Sequence, residues 1–293
     1  MAGIVSIGEI LWDIFLDHRL LGGAAYNFSV HAATLGHRVN FLSAVGKDEL
    51  GSEALAAAAK FGLAPQLTSE AATGRVTVDV DPQGQPAYTL RRPAAYDFVQ
   101  WIPPTDTPDY IYFGTLHQIY ERPKSVTRQL LNAFPSVHRF YDVNLRKDCY
   151  SPNLLIELLP QADVVKLNEA EVLELCTMFD EPAAGLENFC RRWAKRYDWE
   201  VVCVTLGALG CALFRGGEYL EVAGVPVEVA DTVGAGDAFS AALVHGLSHD
   251  WPLRTIGEFA NRVGALVASR HGGTPHWSPS EIELQQPNQV TGL

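Results

Sequence analysis

Short continuous apolar runs, rich in β-branched and aromatic residues, recur along this chain with segments of helical period between them. They are 4-IVSI-7, 38-RVNFLSAV-45, 109-DYIYFGT-115, 138-HRFYDV-143, 162-ADVVKL-167 and 201-VVCVT-205. A strand that is apolar on both faces has to be covered on both faces, and a mainly parallel sheet between two helix layers does this. Leu253, Ile256, Ala260, Val263 and Val267 fall at spacings of three and four, one apolar stripe on a helix packed against such a sheet. The pattern predicts a doubly wound α/β fold. At 293 residues the chain fits one large α/β domain with an appendage as well as two modest domains, and no internal repeat divides it.

One segment breaks the pattern. In 73-TGRVTVDVDPQGQPAYTLRRP-93, Val76, Val78 and Val80 alternate with polar residues, Asp81 to Gly84 read as a turn, and Tyr88 and Leu90 resume the alternation. This predicts an antiparallel hairpin with one wet face, either a plain edge hairpin or a lid over a ligand site.

A net charge of −12 argues against a nucleic-acid or anionic-membrane partner. No apolar stretch approaches the roughly 20 residues needed to span a bilayer. The N-terminus lacks the basic flank and cleavage site of a signal peptide, so a cytoplasmic location is expected. Five cysteines with no C-x-x-C pair read as reduced thiols. An anionic ligand must therefore find positive potential within the site itself.

Polar residues follow the predicted strands: Glu9 and Asp13, Lys47 to Glu49, His117, Asn144 and Arg146, Asn168 and Glu171. Ligands of open α/β sheets bind at the carboxyl ends of the strands, as this distribution requires. In 22-GGAAYNFSVHAATLG-36 two glycines precede a helix, allowing close backbone approach, and Asn27 both donates and accepts. In 231-DTVGAGDAF-239, Gly234, Ala235 and Gly236 stand at a helix start, where unpaired N–H groups and the macrodipole attract a phosphate. Alternatively Asp231 or Asp237 simply caps that helix. The P-loop and the G-x-G-x-x-G fingerprint are both missing, which removes the main support for a Walker-type NTPase or a dinucleotide-dependent dehydrogenase. His31 and His117 read as structural or peripheral, His117 being the nearer to a substrate.

Taken together, these motifs resemble the ribokinase-type (PfkB) carbohydrate kinases. The segments 22-GGAAYN-27 and 46-GKDELG-51 are similar to the family's N-terminal signature, and 231-DTVGAGDAF-239 to its C-terminal one. Between them 142-DVNLR-146, 168-NEAE-171 and 205-TLGALG-210 follow in the family's order. The resemblance implies one ribokinase-like domain over residues 1–293, with a small β-sheet lid formed by about 10–22 and 73–98. It implies transfer of the γ-phosphoryl of ATP to a sugar hydroxyl, with Asp237 as base and Gly234, Ala235 and Gly236 as anion hole. Asp13, Gly22, Gly23, Asn27, Arg91 and Arg146 would bind the sugar. Asn168, Glu171, Thr205, Gly207, Gly210 and Asn261 would face the nucleotide. Asp231 and the Val233 carbonyl, with carbonyls around 267–273, would hold potassium. Magnesium would arrive with ATP, and Glu171 would act on it indirectly.

Within the family, 8-GEILWD-13 and 91-RRPAA-95 look most like fructokinases and 2-keto-3-deoxygluconate kinases. Tyr96 stands where an aspartate is expected. Fructose is the first expected substrate, a keto acid clamped by Arg91 and Arg146 the second, and a catalytically silent sugar-binding module the alternative outside enzymes. Lid sheets in the family often pair, so a homodimer through the lid is a further expectation.

Overall fold

The computed structural model describes residues 1–80, 86–182 and 184–284. The first half contains β1 (Gly3–Ile7), β2 (Leu11–Ile14), β3 (Arg19–Gly22), α1 (Ala24–Thr34), β4 (Arg38–Leu42), β5 (Ala44–Gly46), α2 (Glu49–Ala59), β6 (Gln66–Thr68), β7 (Gly74–Val80), β8 (Pro86–Arg91), β9 (Tyr110–Gly114) and α3 (Glu121–Ala133). The second contains β10 (His138–Asp142), α4 (Pro152–Leu158), β11 (Val164–Asn168), α5 (Glu169–Met178), α6 (Leu186–Tyr197), β12 (Val201–Thr205), β13 (Gly210–Arg215), β14 (Glu218–Ala223), α7 (Ala235–Ser248), α8 (Leu253–Ala268) and α9 (Pro279–Leu284).

The predicted doubly wound sheet has eight strands in the order β14-β13-β12-β11-β10-β9-β1-β4. From β4 to β12 the pairings are parallel, and β13 and β14 close one edge antiparallel. Side chains alternate between two cores. Ile4, Tyr112, Phe140 and Cys203 join the core under α1, α7 and α8, whereas Val5, Phe113, Tyr141 and Val202 join the one under α3 to α6. The apolar stripe from Leu253 to Val267 lies on α8 and is wholly buried. No helix among the described residues is long and apolar enough to cross a membrane.

The run 38–45 is not a single strand. It breaks at the buried Ser43, and β5 pairs with β6 in a separate two-stranded sheet. Beyond the break, Gly46 runs against the 71–73 backbone, where a Cβ would lie 2.7 Å from the Thr73 amide nitrogen.

A four-stranded sheet, β3-β2-β7-β8, stands apart from the large one. The β7–β8 pair is antiparallel, as the alternation predicts, with Val76 opposite Leu90. Both pack on Leu11, Ala94 and Tyr96, giving this sheet a small core of its own. The predicted turn at Asp81 to Gly84 lies outside the described residues.

Candidate active site

Two helix N-termini meet the chain segments between the two sheets. At the first, Gly23 (φ 106°) leads into α1, and a Cβ there would lie 2.7 Å from the Glu9 carbonyl. Glu9 is buried and accepts a hydrogen bond from the Ala24 amide at 2.9 Å. Asn27, one turn into α1, donates from Nδ2 to Asp237 Oδ2 at 2.8 Å. Its Oδ1 is buried and without a hydrogen-bond partner. Asp13 on β2 completes this group, since a Cβ on Gly22 would lie 3.2 Å from Asp13 Oδ2 and 4.0 Å from Asn27 Oδ1.

The second N-terminus is that of α7, which packs against α1. Gly234 is its N-cap, in the left-handed region at φ 76°, with no side chain capping the helix. A Cβ at Gly234 would overlap the Gly273 backbone at 2.3 Å, so only glycine fits. Of the three expected donors, the Ala235 amide is already bonded to the Thr232 carbonyl at 3.3 Å. Gly236 lies at N2 of the helix, where the backbone offers its N–H no intrahelical acceptor.

Asp237 does not cap the helix. It occupies the third helical position, 9 % exposed and joined to Asn27 across the α1–α7 contact. Burial, then the negative charge of Asp142, push its carboxyl up from 3.8 to about 6, opposed by the Asn27 hydrogen bond, Lys166 and Arg146. Asp13 is likewise raised to about 6, by burial first, with Arg146 opposing and Asp231 adding to the rise. Arg146 therefore acts electrostatically on both expected substrate-side carboxylates.

Asp231 spends both oxygens on backbone amides, Oδ1 on Val233 N at 3.0 Å and Oδ2 on Gly272 N at 3.0 Å. It fastens the glycine loop to the segment after α8. Behind that segment, His31 Nδ1 accepts from Trp277 Nε1, which leaves Nε2–H to donate to the Gly273 carbonyl at 2.9 Å. His31 is structural, as expected, and burial holds it neutral by lowering it to about 4.

The residues expected on the nucleotide side divide. Asn168 and Glu171 form a reciprocal capping box on α5, and the second oxygen of Glu171 accepts the Leu145 amide at 2.9 Å. Glu171 is buried, which keeps its oxygens from a hydrated metal and leaves its charge to act at a distance. Thr205, Gly207 and Gly210 lie together at the β12–β13 turn, with Gly207 at φ 59° and Gly210 at φ 106°. Asn261 is buried on α8, and its Nδ2 donates to the Val222 and Ala223 carbonyls of β14, so its amide group is committed to the sheet.

Three readings change. Arg91 is exposed at the end of β8, whereas its neighbour Arg92 is the buried arginine. Arg92 pairs with Asp97, donates to the Leu116 carbonyl and lies over the rings of Tyr96 and Tyr120. Tyr96 is buried where an aspartate was expected, and the aspartate that follows it, Asp97, is the partner of Arg92. His117 does not reach the substrate side: it is wholly buried and its Nε2 is bonded to the Tyr96 carbonyl at 3.0 Å.

Sequence reasoning missed a buried network beneath α7. Lys166 Nζ lies 3.2 and 3.3 Å from the two oxygens of Asp142. Asp142 Oδ2 also accepts from Ser240 Oγ at 2.9 Å and Tyr112 OH at 3.3 Å. The available signal was a lone lysine inside the apolar run 162-ADVVKL-167.

Residues 17–280 match the model of the pfkB family carbohydrate kinases. The chain is 30 % identical over 300 residues to a fructokinase of Escherichia coli, an alignment covering 92 % of this chain and 94 % of that one. Its fold is similar to that of a Xylella fastidiosa fructokinase solved with bound ATP, at TM-score 0.87 and 23 % identity over 96 % of this chain and 97 % of that one. It is also similar, at TM-score 0.84 and 22 % identity over 97 % and 98 % of the two chains, to a Vibrio cholerae fructokinase solved with fructose, ADP and calcium. A family match over most of the chain, together with ribokinase-like architecture, establishes that this protein belongs to the pfkB family of carbohydrate kinases and is an ATP-dependent carbohydrate kinase.

Proposed function

We propose that the chain phosphorylates fructose, with Asp237 as the base. The observation that carries the chemistry is the placement of Asp237: buried in the first turn of α7, beside an uncapped glycine N-terminus, and oriented by Asn27. Its carboxylate takes the proton of a sugar hydroxyl while the Gly236 amide and the helix dipole receive the moving phosphoryl group. A carboxylate suffices as base because a loose phosphoryl-transfer transition state demands positioning and charge stabilisation above all. Asp13 and Asn27 Oδ1 accept from the sugar hydroxyls. The sheet β3-β2-β7-β8, with Gly22 and Gly23 at its edge, acts as the lid.

Magnesium, which neutralises charge across the ATP phosphates, would arrive with the nucleotide, with Glu171 contributing charge alone. Potassium fits beside Asp231, whose oxygens each keep lone pairs after accepting one amide, and beside the Val233 carbonyl. Thr205, Gly207 and Gly210 line the nucleotide side.

Fructose is favoured by the fructokinases among the relatives. A keto acid such as 2-keto-3-deoxygluconate is the second reading, supported by the electrostatic reach of Arg146 to Asp13. A panel of ketoses, aldoses and keto acids in a coupled ADP-release assay tests the choice. Turnover confined to the keto acid would replace fructose as the substrate.

A further inference from the structure

We propose that Lys166 is a positioning residue of the phosphoryl-transfer site: its ammonium, held by Asp142 beneath Gly236, supplies the positive charge that leaves Asp237 free to accept a proton. The proposal rests on the reading of Asp237 as the base.

Lys166 sits at the centre of β11, between Val164 and Val165 on one side and Leu167 and the terminal Asn168 on the other, and its side chain is 8 % exposed. Its register partner on β10 is Asp142, so the pair spans two adjacent strands in the sheet interior. Placing an ion pair there is a poor route to stability. Desolvation costs several kcal/mol per ion, and apolar residues of similar volume commonly do as well or better. The pair points instead at the first turn of α7. A Cβ on Gly236 would lie 3.3 Å from Lys166 Nζ. Ser240 Oγ lies 2.9 Å both from Asp142 Oδ2 and from the Gly236 carbonyl, which ties the pair to the glycine next to the base.

Three carboxylates surround this single ammonium. Lys166 is held protonated against its own burial by the charges of Asp142, Glu171 and Asp237. The charge of Asp142 favours the protonated form of Asp237, while Lys166 and Arg146 favour the ionised form. Without Lys166, only the exposed Arg146 would be left to offset the charge that Asp142 exerts on Asp237, and a buried carboxyl in that field retains its proton. The ammonium thus lets Asp142 anchor Ser240 and Tyr112 without closing Asp237 to proton transfer.

The test measures kcat/KM for the sugar from about pH 5 to about pH 9 in the wild type, K166M, D142N and the double variant D142N/K166M. K166M should move the acid limb upward by at least about one unit, so that its deficit against wild type is at least roughly threefold larger at pH ~6.5 than at pH ~8.5 and approaches tenfold near pH ~5. D142N should move the limb downward, and the double variant should return it towards wild type. Infrared titration of the carboxyl band that D237N abolishes reads the same proton with no substrate present. It carries the test even if no sugar is turned over, an outcome that would sink the kinase chemistry assigned to Asp237 instead. If K166M does not fold, the D142N shift and the double variant still decide. A purely structural pair would lower activity by one factor at every pH and leave the limb and the band in place, and that result would overturn the proposal.

Discussion

The N-terminus of α5 follows directly on the end of β11 and that of α7 follows a glycine loop, and their chemistry is opposite. At α5, Asn168 and Glu171 satisfy each other's backbone N–H groups, and Glu171 takes a third amide from Leu145. At α7, Gly234 caps the helix with no side chain, and the nearest carboxylate, Asp237, is bonded to Asn27 on another helix. A closed N-terminus contributes stability, since its donors are already spent. An open one keeps donors available to a phosphate, and the structure around it must supply what the missing cap would have given. Here Asp231 supplies that support, tying the loop to Gly272 and Val233 through backbone amides.

The largest effect should come from Asp237→Asn. Turnover should fall by about 10³-fold, the range for loss of a general base, with sugar and ATP still bound. Isothermal titration alongside a coupled assay separates the two, and unchanged turnover would remove Asp237 from the chemistry. Gly234→Ala should come next, because the added Cβ meets the Gly273 backbone in a left-handed conformation. A loss of stability of about 1–3 kcal/mol, with turnover falling further than unfolding explains, is expected from denaturant melts and kinetics together. A neutral result would mean that the α7 entry tolerates a side chain and is not the tight cradle described.

The pH dependence sharpens the contrast in two ways. Asp237 titrates near 6, so kcat/KM should fall roughly tenfold per unit as pH drops below that value. The folded state raises this carboxyl from 3.8 to about 6, so it binds the proton more tightly than the unfolded chain does. Stability therefore declines as pH rises from about 4 to about 6 and stays lower above it. D237N should accordingly be more stable than wild type at pH ~7, by up to about 3 kcal/mol, and should lose that advantage below pH ~4. Equal melting curves at both pH values would contradict the burial argument.

The smallest effect should be Asn168→Ala. Loss of the α5 cap costs about 1 kcal/mol of stability, and turnover should fall far less than in D237N. A drop rivalling that of D237N would place Asn168 in the chemistry itself.

Much of this molecule was legible in the chain. Continuous apolar runs such as Val201 to Val204 are forced into a sheet interior because neither face of the strand can meet water, and α8 followed from its stripe. Gly23 and Gly234 announced close backbone approach, and at both a Cβ would run into the facing backbone of Glu9 or Gly273. Arg91 and Arg92 could not be told apart by sequence, since alternate residues of a strand end point to opposite faces and only the packed rings of Tyr96 and Tyr120 select Arg92. His117 looked available because it follows a strand, yet Tyr96 folds over it and takes its Nε2 hydrogen bond.

The sequence by itself determined the layered α/β architecture and the glycine entry to α7, because both depend on local burial pattern and backbone freedom. Only the tertiary structure decided which charges meet. Asn27 reaches Asp237 across 210 residues, and Asp142 reaches Ser240 across 98. Proton affinity at the site depends on those distances and on the exclusion of water, and neither is written in the order of the residues.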